Sequence, residues 1–115
     1  MGKANKKISK NEFRYNHSTG HPNFVFEEDG NKYHSLGLTH HKRTYYYKQK
    51  RWLKNMPLYD NPEKNKTEKS YVRYGIITNK KKQYGNVTTD FRFSNKDKSN
   101  IKSKIRNYKN HRRKQ

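Results

Sequence analysis

Histidine and threonine side chains within one short segment could together cleave a phosphodiester bond of RNA without a metal ion. Such cleavage needs a base that takes the 2′-hydroxyl proton, an acid that protonates the leaving 5′-oxygen, and a cation that stabilises the charged phosphorane. Four of the six histidines lie within residues 21–41. The alternative for any single histidine is an exposed polar residue of a basic chain. The candidate catalytic residues are His21, Thr39 and His40, with Arg73 or Lys42 as the stabilising cation.

Metal and cofactor chemistry is not expected of this chain. It has no cysteine and only 9 acidic residues. The histidine spacings match neither the zinc-protease nor the zinc-deaminase motif. We therefore predict no metal site and no cofactor.

The segment that carries these histidines has the pattern of a β-hairpin. Phe24 and Phe26 share one face of an extended strand, since side chains two residues apart point the same way. Asp29-Gly30 then supplies a turn, because glycine accepts a positive φ. A second extended segment follows over residues 32–39. The hairpin would place histidines near its two ends.

A basic and aromatic segment follows the hairpin. Residues 42–56, KRTYYYKQKRWLKNM, interleave cations with aromatic rings. This pattern suits single-stranded nucleic acid, because cations bind phosphates while ring faces stack on bases. The alternative is a strand or helix whose tyrosines pack on the core. The nucleic-acid-binding residues predicted here and in the other basic stretches are Lys42, Arg43, Tyr45, Tyr47, Arg51, Trp52, Lys80, Lys81, Lys82, Lys102, Arg106, Arg112 and Arg113.

The charge of the whole chain indicates the class of partner. There are 29 basic residues against 9 acidic ones, a net charge of +20. This excess predicts a nucleic-acid partner, and we favour RNA over DNA. A/T-rich codons could inflate the lysine content without selection for binding, but would not by themselves deplete Asp and Glu. No apolar run could span a bilayer, and the N-terminus lacks a secretory h-region, so we expect a cytoplasmic protein with no membrane partner.

The hairpin segment also resembles a known family. HPNFVFEEDGNKYHSLGLTHHK, followed by a basic loop, a proline-containing stretch and YGIIT, resembles the opening of small SH3-like-barrel endoribonuclease toxins of the MazF/PemK and ToxN/AbiQ types. The matching residues are Gly30, Tyr33, Leu38 and Thr39, and the resemblance covers residues 20–80. It implies a barrel fold and an antitoxin or other neutralising partner. This chain is more basic than those families and lacks the acidic and apolar residues that flank their sites.

The C-terminal region has the pattern of a basic helix. Ser94 is a suitable N-cap, and Asp97 three residues later completes a weak capping box. Ile101, Ile105 and Tyr108 form one apolar stripe. Because this stripe is narrow, we expect the helix to lie at the edge of the sheet.

These elements predict a mainly β fold of the α+β class. We expect a small twisted antiparallel sheet or a partly open SH3-like barrel, followed by the basic C-terminal helix. Residues 1–19 would form a basic flexible arm, residues 20–93 the β-rich core, and residues 94–115 the helix with a frayed tail.

Three functions fit this sequence. The favoured one is RNA binding, with metal-independent endoribonuclease activity of the toxin type as its sharper form. The second is a non-catalytic nucleic-acid-binding accessory protein of a mobile element or of the ribosome. The third is an inhibitor that occupies the surface of a nucleic-acid-handling enzyme.

Overall fold

The chain folds into an antiparallel sheet and one C-terminal helix. The computed structural model describes residues 10–39 and 55–113. The six strands are β1 Glu12–Asn16, β2 His21–Asp29, β3 Lys32–Thr39, β4 Met56–Pro57, β5 Tyr71–Lys80 and β6 Tyr84–Thr88, and the helix α1 is Asn95–Arg113. The strand order in the sheet is β4-β5-β3-β2-β1-β6. The α+β, mainly β prediction is confirmed.

The predicted hairpin is formed by β2 and β3. Phe24 pairs with Leu36 in the register of the two strands. Gly30 has a φ of 61°, whereas its neighbour Asn31 does not have a positive φ. A positive φ at only the first of two connecting residues is the type II′ arrangement, which matches the twist of the flanking strands. The hairpin prediction is therefore confirmed, with the difference that Asp29 ends β2 and the turn residues are Gly30 and Asn31.

The sheet begins earlier than the sequence predicted. Residues 12–16, assigned above to a flexible arm, form β1, which pairs with β2 on one side and β6 on the other. The physical reason is Phe13, whose buried ring packs 5.2 Å from that of Phe24 and 5.0 Å from that of Phe93. The arm prediction is wrong for β1, and residues 1–9 lie outside the described residues.

The sheet is strongly coiled. β5 and β6 lie far apart in the strand order, yet only the 3₁₀ turn Lys81–Gln83 joins them. Three residues span about 10 Å at most, so the ends of these strands must approach one another. Contacts across the sheet agree: Asn16 Nδ2 donates to Asn79 Oδ1 at 3.0 Å, and the rings of Tyr33 and Tyr84 lie 5.2 Å apart.

Helix α1 begins where the sequence predicts. The backbone N–H of Asp97 donates to Ser94 Oγ at 3.2 Å, and Ser94 Oγ donates to Asp97 Oδ2 at 3.1 Å. Ile101 and Ile105 are buried in the main core. This core lies between the helix and one face of the sheet. Its phenylalanines and leucines come from β1, β2 and β3, together with Leu58 after β4 and Phe93 before α1.

The position of the helix differs from the prediction. Tyr108 packs 6.1 Å from the ring of Phe26 on β2 and 6.5 Å from that of His34 on β3. Lys104 Nζ donates to the carbonyl of Tyr74 on β5. The helix thus packs across β2, β3 and β5, and it does not lie along the edge of the sheet. The aliphatic stem of a lysine can cover apolar surface, so Lys104 widens the face that the apolar stripe provides.

Candidate nucleic-acid interface

A half-open groove with an aromatic floor lies between the β1/β6 edge of the sheet and α1. Its volume is about 660 Å³. Four phenylalanine rings line it, with neighbouring centroids 5.0–5.7 Å apart. They are Phe13, Phe24, Phe91 and Phe93. Of these four, Phe91 alone is partly exposed, so its ring is the one that a ligand can reach.

Four cations surround this floor: Lys64, Arg92, Lys98 and Lys102. Lys98 and Lys102 are one turn apart on the same flank of α1. Arg92 lies between Phe91 and Phe93 in the chain, and its side chain is exposed. Lys64 is held by its backbone N–H, which donates to Asp90 O at 2.9 Å.

The electrostatics of the groove favour an anion. Among the described residues that line it, Glu12 is the one acidic residue. Its carboxylate is engaged by Arg14 Nε at 2.9 Å and lies 3.6 Å from Lys10 Nζ. The Glu12 carboxylate in turn raises the pKa of Lys10. The four cations around the floor therefore attract an anionic ligand, because the one carboxylate in the lining is already paired.

A second, smaller cavity lies beside the groove. It has a volume of about 410 Å³, and it shares Phe91 with the groove. His21 and Thr39, predicted above as catalytic residues, both line it. They meet because an antiparallel hairpin brings the start of β2 to the end of β3. The loop between β4 and β5 covers this cavity and contributes Lys66, Glu63 and Glu68.

Arg73, predicted above as a candidate for the stabilising cation, does not line this cavity. Among the described residues that line it, Lys66 is the cation. The Arg73 side chain lies against Gly37: a Cβ placed at Gly37 would be 3.0 Å from Arg73 Cδ. His40, the third predicted catalytic residue, lies outside the described residues.

The predicted nucleic-acid-binding residues separate into three groups. Lys102 lines the groove, and Arg106 is exposed on the same helix. Lys80, Lys81 and Lys82 lie at the turn between β5 and β6, where Lys81 pairs with Glu28. Arg112 and Arg113 fall in the last turn of α1. The remaining predictions lie outside the described residues: Lys42, Arg43, Tyr45, Tyr47, Arg51 and Trp52.

The contacts of a third hairpin histidine, His34, are typical of a residue that stabilises the sheet. His34 is buried, with Nδ1 2.7 Å from Thr78 Oγ1 and Nε2 3.2 Å from Asp29 Oδ2. His34 and Thr78 are directly opposite in the β3–β5 register. This contact fixes two neighbouring strands, and His34 lines neither cavity.

Sequence reasoning missed most of the groove. It did not select Phe91, Phe93, Lys64, Arg92 or Lys98. A signal was present in the sequence: Asp90-Phe91-Arg92-Phe93 alternates aromatic and charged residues directly before the helix. Such alternation is typical of an extended segment with one face on the core.

Neither a metal cluster nor a membrane span is found in the described part of the chain. Within residues 10–39 and 55–113, no three His, Asp or Glu side chains are grouped so as to hold a metal ion. The helix described there is not long and apolar enough to cross a bilayer. Comparisons with protein-family models, curated proteins and solved structures found no match for this chain.

Proposed function

We propose that this protein binds single-stranded RNA in the groove between the β1/β6 edge and α1. The observation that carries this proposal is the phenylalanine floor surrounded by four cations. A base stacked on Phe91 would place its phosphates near Arg92, Lys98 and Lys102. Base–aromatic stacking contributes about 1–3 kcal/mol per base, and each phosphate contact adds a salt-dependent contribution.

The test is binding of labelled single-stranded RNA to two groove variants. Phe91→Ala should weaken binding by about 1–3 kcal/mol at constant salt, because it removes the stacking ring. Lys102→Ala should reduce the slope of log K against log salt by about 0.7, the value for one phosphate contact to a single strand. Lys32→Ala is the matched control, since Lys32 is an exposed lysine at the hairpin turn.

Two results would contradict this proposal. Equal affinities of Phe91→Ala and the unaltered protein would exclude stacking in the groove. Tighter binding of DNA than of RNA of the same sequence would replace RNA by DNA as the ligand.

A second candidate function, metal-independent RNA cleavage, is favoured by one observation: His21 and Thr39 line one cavity beside the groove. In this proposal His21 takes the 2′-hydroxyl proton, Thr39 donates a hydrogen bond to the phosphate, and Lys66 stabilises the charged phosphorane. His40, predicted from the sequence as a catalytic residue, donates the proton that the leaving 5′-oxygen takes up.

Incubation with single-stranded RNA in excess EDTA tests this activity. Fragments with 2′,3′-cyclic phosphate ends are expected, and His21→Ala should slow their formation by about 10²-fold or more while RNA affinity changes little. His17→Ala is the control, because His17 is exposed and does not line the cavity. Intact RNA that is bound in a salt-dependent way would contradict the cleavage proposal and would support the binding function only.

We also propose that the coiled sheet is a partly open SH3-like barrel. Two features support this: β1 pairs with both β2 and β6, and a single 3₁₀ turn joins β5 to β6. Nuclear Overhauser contacts between the rings of Tyr33 and Tyr84 would be expected for the closed end. A flat sheet would give none.

A further inference from the structure

Two exposed tyrosines form a second candidate surface on the other flank of α1. Tyr59 is 66% exposed and Tyr74 is 60% exposed. Lys96 Nζ lies 5.1 Å from the ring centroid of Tyr59, and Lys104 Nζ lies 5.6 Å from that of Tyr74. Each tyrosine therefore presents an exposed ring with a helix lysine over one of its faces.

The backbone at both tyrosines is held by a buried side chain. The N–H of Tyr59 donates to Asp97 Oδ1 at 2.9 Å, and the N–H of Tyr74 donates to Asn55 Oδ1 at 2.8 Å. Asp97 and Asn55 are both buried. Because the backbone at each tyrosine is already fixed, only the side chain loses conformational entropy when a base stacks on the ring.

The two flanks of α1 are joined by a surface without exposed carboxylates. At about 100° per residue, Lys98 and Lys102 lie on one side of buried Ile101, and Lys104 lies on the other. The sequence of α1 contains one acidic residue, Asp97, whose carboxylate is buried. Exposed Arg106 lies on the outer face between the flanks, and a helix is only about 10–12 Å across. The exposed carboxylates of Asp60 and Asp90 lie outside the helix, next to Tyr59 and to Phe91 in the chain.

We propose that a single RNA strand bound in the groove continues over the outer face of α1 and stacks on Tyr59 and Tyr74. This inference rests on the proposed function. The phosphates that cross the helix are bound by Lys102, Arg106 and the two lysines beside the tyrosines. The strand is then held by aromatic rings on both flanks, with cations between them.

A length series of labelled oligouridylates tests this inference. Oligomers of about four nucleotides fill the groove, and oligomers of about twelve also reach the tyrosines. Tyr59→Ala and Tyr74→Ala should each weaken binding of the long oligomer about fivefold, and leave the short one unchanged. Tyr74→Phe should bind like the unaltered protein, because stacking needs only the ring.

Tyr15→Ala is the matched control, since Tyr15 is 46% exposed but lies on β1. Equal loss in Tyr15→Ala, or no loss in both helix-flank variants, would overturn the inference. Polyglutamate that displaces the long oligomer with the same dependence on Tyr59 and Tyr74 would also overturn it, in favour of an acidic protein. Failure of the short oligomer to bind would instead refute the proposed function itself.

Discussion

Tyr84 buries its phenol among polar side chains on the face of the sheet away from α1. Its hydroxyl lies 2.8 Å from Ser35 Oγ, which in turn lies 2.8 Å from the amide of Asn23. Burial raises the pKa of Tyr84 above the ordinary 10.0, because the phenolate would lose its hydration, although the hydrogen bonds with Ser35 and Asn23 oppose this shift. The folded protein therefore holds this proton more tightly than the unfolded chain does.

This difference predicts a stability that falls in alkali. Below pH 10.0 the phenol is protonated in both states, and its contribution is complete; as the pH rises further, the unfolded chain loses the proton first and stability declines. Tyr84→Phe should flatten this decline, and should cost about 1–2 kcal/mol at neutral pH because Ser35 loses a partner. Urea unfolding on both sides of pH 10.0 measures both effects.

The control for this prediction is Tyr59→Phe, which removes an exposed phenol. It should keep the alkaline decline of the unaltered protein. If the stability of Tyr84→Phe falls as steeply with rising pH as that of this control, the buried phenol does not cause the alkaline loss of stability.

At the scale of elements, one carboxylate connects the start of α1 to the loop after β4. Asp97 accepts from the hydroxyl of Ser94, directly before the helix, and from the backbone N–H groups of Tyr59 and Asp60 in the loop, the latter at 3.2 Å. The helix forms one wall of the groove, and Lys64 of the same loop lines it, so this carboxylate joins two elements that contribute to the groove.

Asp97→Ala should therefore destabilise the fold by about 2–4 kcal/mol, because two backbone N–H groups and the cap lose their acceptor. Asp97→Asn should cost less, since one oxygen remains. Urea unfolding followed by helical circular dichroism measures these losses, with Asp90→Ala as the exposed control. A loss of stability as small as that of Asp90→Ala would mean that water replaces the Asp97 carboxylate as the acceptor for the loop N–H groups.

The elements that the sequence predicts well are those fixed by close neighbours. Gly30 sets the hairpin turn, and Ser94 with Asp97 sets the start of the helix. Strand pairing alone also brings His21 and Thr39 to the same end of the hairpin, where both line the smaller cavity. None of these predictions needs information from a distant part of the chain.

The groove and β1 could not be predicted in the same way. Phe13 and Phe93 come from opposite ends of the described chain, and only the folded sheet brings their rings together. The basic residues around Phe13 led to the prediction of an arm, because a run of positive charge is typical of one. These cations are partly neutralised in the structure, as Lys10 and Arg14 both pair with Glu12. Lys66 reaches the smaller cavity from a loop that has no periodic pattern.

At the scale of the whole molecule, charge acts on folding and on binding in opposite directions. A net charge of +20 opposes compaction through self-repulsion, yet it attracts a polyanion. Salt screens both effects, since the Debye length is about 10 Å at 0.1 M ionic strength.

Added sodium chloride should therefore raise the melting temperature and weaken RNA binding within the same concentration range. Thermal unfolding and fluorescence anisotropy on one set of samples measure the two trends. A melting temperature that falls with salt would mean that ion pairs such as Lys10–Glu28 outweigh the repulsion. RNA affinity that is constant with salt would exclude phosphate contacts as its source.

The pairing of β1 with β6 also has a kinetic consequence. Phe13 near the start of the described chain is opposite Thr88 near its end, so this ladder closes a very long loop. Folds dominated by such distant pairings form slowly, on the order of milliseconds to seconds, because the entropy of closure is lost before the contacts form. During synthesis β1 can pair with β2 early, but the β1–β6 ladder cannot form until β6 has left the ribosome. The groove uses β1, β6 and α1, so a nascent chain cannot bind its ligand there until α1 has left the ribosome.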